Sequence, residues 1–304
     1  MKAARIHGFG GPDRLVFDDL PRPQPGPGEL LVQVAASGVN PIDLKVRRGE
    51  LAPMLQDALP LTLGWELAGT VLAVGAEVTN FRTGDAIFAK LELMQTGAHA
   101  EAVLVPAAQA APKPQRLSFE AAAVVPVTAV SAHEALEAAA LRAGERVLVQ
   151  GAGGAVGHWL LQFLRPLGLE VLATASAGDL DRVRRLGADR AFDYRRVDPM
   201  ADIGRVDAVF DLVGGEVQTR SWDLLDADGR LVTLVPPGAV PDGRTPRVVF
   251  STTNGATLAR IGAMLDDGTL EPLSVAAVRP LAEIRQVHEE IEADRLKGKI
   301  ALVP

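Results

Sequence analysis

The chain has 304 residues, 48% of them hydrophobic and 23% charged, with a formal net charge of −7 and no cysteine. Such a length and apolar content suit two packed domains; no apolar run approaches the roughly 18 residues needed to span a bilayer; and the dispersed charge argues against nucleic acid as the main partner. Without cysteine, disulfides, thiol catalysis and cysteine-bound zinc or iron–sulfur sites are excluded. Residues 1–7 read as a strand, not as a charged and then apolar leader, so no signal peptide is expected and the cytoplasm is the expected location.

From residue 1 to about 120, short strands alternate with turns, the pattern of mostly antiparallel β-structure. Met1–Ile6 reads as strand, and Pro21–Gly28 as a rigid loop, because its alternating prolines remove donors and fix φ. Glu29–Ala36 is predicted strand. Asn40 and Asp43 then fall at its end, where a short helical turn begins and Asp43 can cap or brace it. Strands are expected at 64–74, 84–89 and 98–106. At 117–120 the chain reads as a helix N-terminus, with acid in the first turn and an alanine-rich helix running to about Leu141.

From Arg146 the pattern changes to alternating strands and helices, which implies a parallel sheet covered on both faces. The first strand, Arg146–Gln150, runs into Gly151-Ala152-Gly153-Gly154-Ala155-Val156-Gly157. Glycines at 151, 154 and 157 suit a tight turn, backbone approach to a phosphate, and close packing of helix on strand. Amides from Gly154 onward can donate to an anion, with the helix dipole behind them. A ligand-free strand-to-helix connection would use similar glycines; the context favours a diphosphate site. A helix with apolar residues at Val156, Leu160, Phe163, Leu164 and Leu167 follows, then a strand at Glu170–Thr174, which completes a βαβ unit. Pro166 is expected to end or kink that helix. Further elements are predicted at 206–212 (strand), 216–225 (helix), 230–235 and 247–251 (strands), 254–266 and 281–294 (helices) and 299–303 (strand). The expected division is 1–120 with 267–304 as one domain and 121–266 as a doubly wound, Rossmann-type α/β domain.

Several dispersed segments resemble the medium-chain dehydrogenase/reductase superfamily, in its zinc-free quinone oxidoreductase (zeta-crystallin-like) branch of NADPH-dependent enzymes. They are Gly38-Val39-Asn40-Pro41-Ile42-Asp43, Leu63-Gly64-Trp65-Glu66-Leu67-Ala68-Gly69, Gly84-Asp85, Gly97-Ala98-His99-Ala100-Glu101, the glycine turn, Leu186-Gly187-Ala188-Asp189 and Gly298-Lys299. The resemblance implies a mostly antiparallel, GroES-like catalytic domain beside the Rossmann domain. It also implies a homodimer joined through the strand near Arg247–Phe250. Zinc-dependent members carry cysteine and histidine at the positions of Asn40 and Trp65. An amide and an indole cannot replace them as zinc ligands, so no metal is expected.

The strand after the glycine helix ends at Thr174 and leads to Ser176. No carboxylate stands at that strand end to bind a ribose 2′-hydroxyl. Ser176 can donate to a 2′-phosphate and Arg182 can add charge, although relatives often have Ser-Ala-Arg where this chain has Ser176-Ala177-Gly178. Asp179 and Asp181 follow and can pair with Arg182 on a solvated helix face, so a preference for NADPH is expected to be modest. Tyr194 matches a family position beside the adenosine phosphate, with packing at the strand end as the alternative. Val213, Gly214, Val235 and Pro236 fall at later strand ends, where open parallel sheets bind ligands, with packing at the strand ends as the alternative.

The resemblance places Asn40 as a neutral donor near the oxygen of the acceptor and Ser131 beside the nicotinamide. Lys45 is a candidate electrostatic donor, with an ordinary surface lysine as the alternative. His99 and His133 stand where relatives carry aromatic residues. The expected function is NADPH-dependent hydride transfer to a small-molecule quinone or α,β-unsaturated carbonyl; the alternative is an NADPH-binding protein with little turnover. An enoyl-thioester reductase is disfavoured, because the single tyrosine, Tyr194, belongs to the cofactor half.

Overall fold

The computed structural model describes residues 1–195 and 199–304. It divides into two compact units, Met1–Val127 with Thr253–Pro304, and Thr128–Thr252. The chain returns to the first unit at Thr253, ahead of the Gly255–Asp266 helix and not at 267 as expected. Packing explains this. A Cβ at Gly255 would lie 2.5 Å from the Ala110 carbonyl oxygen, and Gly262 faces the Phe88 ring, so the helix lies directly on the strands of the first unit.

In the first unit, Glu29–Val39 is the central strand, pairing antiparallel with Glu66–Val74, Ala102–Pro106 and Lys299–Val303. Leu30, Val32 and Val34 are buried along it, and Leu67, Val71, Val103 and Leu302 join the same core. Trp65 is also core, 2% exposed, with its indole N–H donating to the Leu93 carbonyl at 3.3 Å. A smaller antiparallel sheet joins Leu15–Asp19, Lys2–Ile6 and Leu61–Thr62.

The expected helix from Ser118 to Leu141 is two helices, Phe119–Ala123 and Pro126–Ala139. Ser118 caps the first by accepting from Ala121 N at 3.2 Å. Pro126 has no N–H to continue it and instead opens the second. The break leaves the Val127 amide in a new first turn, without an intrahelical acceptor. Glu66 Oε2 accepts it at 2.8 Å.

The second unit is a parallel sheet of six strands in the order Arg190–Asp193, Glu170–Ala175, Arg146–Gln150, Val206–Asp211, Leu225–Thr233 and Arg247–Val248. The order reverses at the central strand, which feeds the glycine turn. The following helix, Ala155–Leu164, stops before Pro166, and Arg165–Leu167 tightens into a 3₁₀ turn. Leu167 therefore leaves the predicted apolar stripe and is 39% exposed, whereas Trp159, Leu160, Leu161 and Leu164 are fully buried.

Candidate functional site

In the second unit, Gly151 has φ +75, a left-handed conformation that only glycine adopts without strain. Gly154 is the exposed N-cap of the Ala155–Leu164 helix. At Gly157 a Cβ would lie 2.5 Å from the Ala152 carbonyl oxygen, so only glycine lets helix and turn approach this closely. The first-turn amides of Ala155, Val156 and Gly157 have no intrahelical carbonyl to meet, and they begin at the exposed residue. This geometry fits a dinucleotide diphosphate. Ala152 differs: it is fully buried, and its N–H donates to the Thr174 carbonyl at 2.9 Å.

Thr174 is a brace. Its hydroxyl donates to Gln150 Oε1 at 2.6 Å and accepts from Gly151 N at 3.2 Å. Asp211, which the sequence did not single out, does the same at the next strand end. It is fully buried, accepts from Val213 N and Gly214 N at 3.1 and 2.9 Å, and takes Gln218 Nε2 and Thr233 Oγ1 at 2.7 and 2.9 Å. A Cβ on Gly151 would meet Val213 Cγ2 at 2.8 Å, and one on Gly214 would meet Val235 Cγ2 at 3.0 Å. The fold thus brings Gly151, Val213, Gly214 and Val235 together at the carboxyl edge of the sheet. Pro236 follows in an exposed stretch.

Ser176 and Arg182 converge, but on Asp179. Ser176 Oγ donates to Asp179 Oδ2 at 2.7 Å, and Arg182 Nη2 donates to Asp179 Oδ1 at 2.8 Å and to the Gly153 carbonyl at 2.6 Å. Partial burial acts to raise the Asp179 pKa, but the hydrogen bonds from Arg182 and Ser176 outweigh it and hold the carboxyl below its ordinary value. A Cβ on Gly153 would meet the same carboxylate at 3.0 Å, which puts Asp179 directly beside the glycine turn. Tyr194 is 52% exposed at the adjoining strand end, not packed. Ser131 is buried on the Pro126–Ala139 helix, and His133 is half-buried there, with its ring edge-on to Phe163.

In the first unit, Asn40 caps the Pro41–Arg48 helix, and its backbone N–H donates to Asp43 Oδ2 at 2.7 Å. Asp43, fully buried, also takes Gly64 N at 2.9 Å and lies 3.4 Å from His99 Nε2. His99 bonds Ser37 Oγ at 2.9 Å and is fully enclosed, so it is part of the core and does not line an open pocket.

The Asn40 side chain is not a free donor. Its Nδ2 donates to Glu66 Oε1 at 2.8 Å and its Oδ1 accepts from Lys299 Nζ at 2.7 Å. Lys299 also pairs with Glu66 and donates to the Val39 carbonyl at 3.2 Å. Glu66 and Lys299 are 0% and 5% exposed. An amide held at both ends in this way keeps one N–H of Nδ2 uncommitted, with a fixed orientation. Lys45, on the next turns of the helix, is half-buried and has no side-chain partner among the described residues. Also among the described residues, no group of three or more histidine, aspartate or glutamate side chains is arranged to hold a metal ion, and no helix is long and apolar enough to cross a membrane.

Comparison with known proteins returns two family models, an alcohol dehydrogenase GroES-like domain over residues 26–115 and a zinc-binding dehydrogenase over residues 186–302. The chain is 30% identical to a quinone oxidoreductase of Sus scrofa over 326 aligned residues, covering 100% of this chain and 98% of the relative. It is 29% identical to an NADPH-dependent alkenal/one oxidoreductase, chloroplastic, of Arabidopsis thaliana, covering 100% of this chain and 80% of the relative. Among solved structures, the quinone oxidoreductase from Coxiella burnetii superposes with a TM-score of 0.89 at 30% identity, covering 100% of this chain and 99% of that one.

Proposed function

Because the chain belongs to the medium-chain dehydrogenase/reductase superfamily and is an oxidoreductase by that kinship, we propose that it uses NADPH to reduce a quinone or an α,β-unsaturated carbonyl without a metal. The observation that carries this reading is the glycine turn, with Gly151 left-handed, Gly157 pressed on Ala152, and open amides at Ala155, Val156 and Gly157, while the Gly154 amide closes the turn on the Gly151 carbonyl at 3.1 Å. A bound dihydronicotinamide nucleotide supplies the hydride. The diphosphate lies on the amides of Ala155, Val156 and Gly157, with Val213, Gly214 and Val235 along the sheet edge. A 2′-phosphate reaches Ser176 and Arg182 only by displacing Asp179 from them, so NADPH exceeds NADH by a small margin.

Hydride addition to an enone or quinone needs little proton machinery. The acceptor gains a hydride at carbon, and its oxygen or α-carbon then takes one proton from water. Asn40, clamped between Glu66 and Lys299, presents its remaining N–H to the oxygen that gains charge, a preorganised donor in a dry setting. Asn40 and Trp65 stand where zinc-dependent members have cysteine and histidine, and neither side chain offers a zinc donor. Cytoplasmic residence and a homodimer through the Arg247–Val248 edge strand belong to the same reading; Phe250 beside that strand is 85% exposed.

Mixing the protein with NADPH and either menadione or benzalacetone tests the proposal through loss of dihydronicotinamide absorbance. Oxidation that depends on both protein and acceptor is expected. Tight NADPH binding with neither acceptor reduced would instead identify a nucleotide-binding protein with little turnover, and absence of binding would end both readings.

A further inference from the structure

A hollow of about 370 Å³ lies within the first unit, between the Pro41–Arg48 helix and the segment that leads into the Lys299–Val303 strand. That volume suits a small organic ligand. Val39, Leu44, Ile291, Leu296 and Ile300 give it apolar walls, and Asn40 lines it as well.

Its charges do not balance. Lys297 pairs with Asp294 at 2.8 Å, and Arg48 with Glu292 at 2.8 Å, a carboxylate it shares with Arg47, with Glu50 further off at 3.6 Å. Lys45 alone of the lining cations has no partner among the described residues. A half-buried lysine without a counter-ion beside apolar walls favours an anion, and an anion bound there interacts more strongly than at an open surface.

We propose that this hollow is the acceptor subsite and that it selects an acceptor carrying one acidic group, a carboxylate or sulfonate, which pairs with Lys45 while Asn40 takes the carbonyl oxygen. This rests on the reductase reading above and adds the charge of the substrate. Lys45 stands five positions after Asn40, roughly 7.5 Å along the helix at 1.5 Å per residue. An acceptor that engages both groups keeps its acid apart from its reducible carbonyl, as at opposite ends of a ring.

The test compares benzalacetone with its para-carboxylate on the full chain, in two readouts. One is equilibrium binding by calorimetry without turnover; the other is kcat/KM with NADPH. The carboxylate is expected to bind about tenfold tighter than the neutral parent, the size of one semi-buried ion pair, and to lose affinity as salt rises. Lys45→Met should erase the difference between the two ligands, and Lys45→Arg should keep most of it. Equal binding of the two ligands, no binding of the carboxylate, or a preference that survives in Lys45→Met would overturn the proposal. Calorimetry reads the subsite even if no NADPH is oxidised, so a failed reductase reading and a failed subsite give different results.

Discussion

The Asp179 carboxylate takes Ser176 Oγ at 2.7 Å and Arg182 Nη2 at 2.8 Å, the two groups expected from the sequence to hold a 2′-phosphate. A phosphate arriving there meets a carboxylate held in its charged form by the same two donors. Asp179→Asn removes the repulsion and frees both donors. The ratio of NADH to NADPH dissociation constants should move towards NADPH by about two- to fivefold, the size of one exposed charge contact; an unchanged ratio would remove Asp179 from cofactor choice. At Gly157 the constraint is steric. Gly157→Ala places a Cβ 2.5 Å from a backbone oxygen that cannot step aside. Overpacking of this kind costs about 1–3 kcal/mol, and both the denaturation midpoint and nucleotide affinity should fall. The glycine spacing and Asn40 were legible in the sequence because each is a local pattern. Glu66 and Lys299 were visible only as parts of family segments, since their pairing spans 233 positions and nothing local marks it. Asp179 was legible as a nearby acid, but its grip on both phosphate donors depends on how the turn folds.

At the scale of elements, the Pro41–Arg48 and Ile284–Glu292 helices are joined by a fully buried Arg47. Its Nε donates to His288 Nδ1 at 3.1 Å, its Nη1 to the Gly10 carbonyl at 2.6 Å, and its Nη2 pairs with Glu292. His288 must accept at Nδ1, so the fold needs its neutral ring. Burial is the main cause that pushes its pKa down to about 4; nearby His99 and Arg47 push the same way, against Asp43 and Glu292. The unfolded chain then binds the extra proton first. Stability should fall as pH drops from about 6.5 towards 4, by up to ~3 kcal/mol. Thermal melts of His288→Asn, which keeps an acceptor for Arg47, should show a flatter decline between pH 7 and 5, and an identical slope would exclude His288 as the cause. The buried Glu66 and Lys299 pair joins the last strand to the strand that begins at Glu66. Lys299→Met leaves a carboxylate without its cation, at a cost of about 3–5 kcal/mol. Denaturant titration should recover part of that loss when Glu66→Gln is added. Element types were largely legible in the sequence. The division at Pro126 was not, because an alanine-rich stretch reads as one helix until the proline is given its own first turn.

For the whole molecule, alternation of strands and helices was enough to foresee the parallel sheet and its carboxyl edge. The point of return to the first unit was not foreseen, because the contact of Gly255 with Ala110 depends on tertiary packing that no periodicity records. In the second unit, the Arg247–Val248 strand pairs on one side only among the described residues, with Leu225–Thr233, and Phe250 stands exposed beside it. An unpaired edge with an apolar side chain invites a second copy. Light scattering should find a dimer that Phe250→Glu converts to monomer, and a monomeric parent protein would reject that assembly.

Hydride transfer from a nucleotide held by the turn at 151–157 is the core of the proposed function. Its most direct test is to supply NADPH deuterated at the transferable position of the nicotinamide, with benzalacetone as acceptor, and to read the product by mass spectrometry. A saturated ketone carrying one deuterium at the β-carbon is expected, formed only when protein is present. Unlabelled product, or none while the labelled nucleotide is bound, would contradict it.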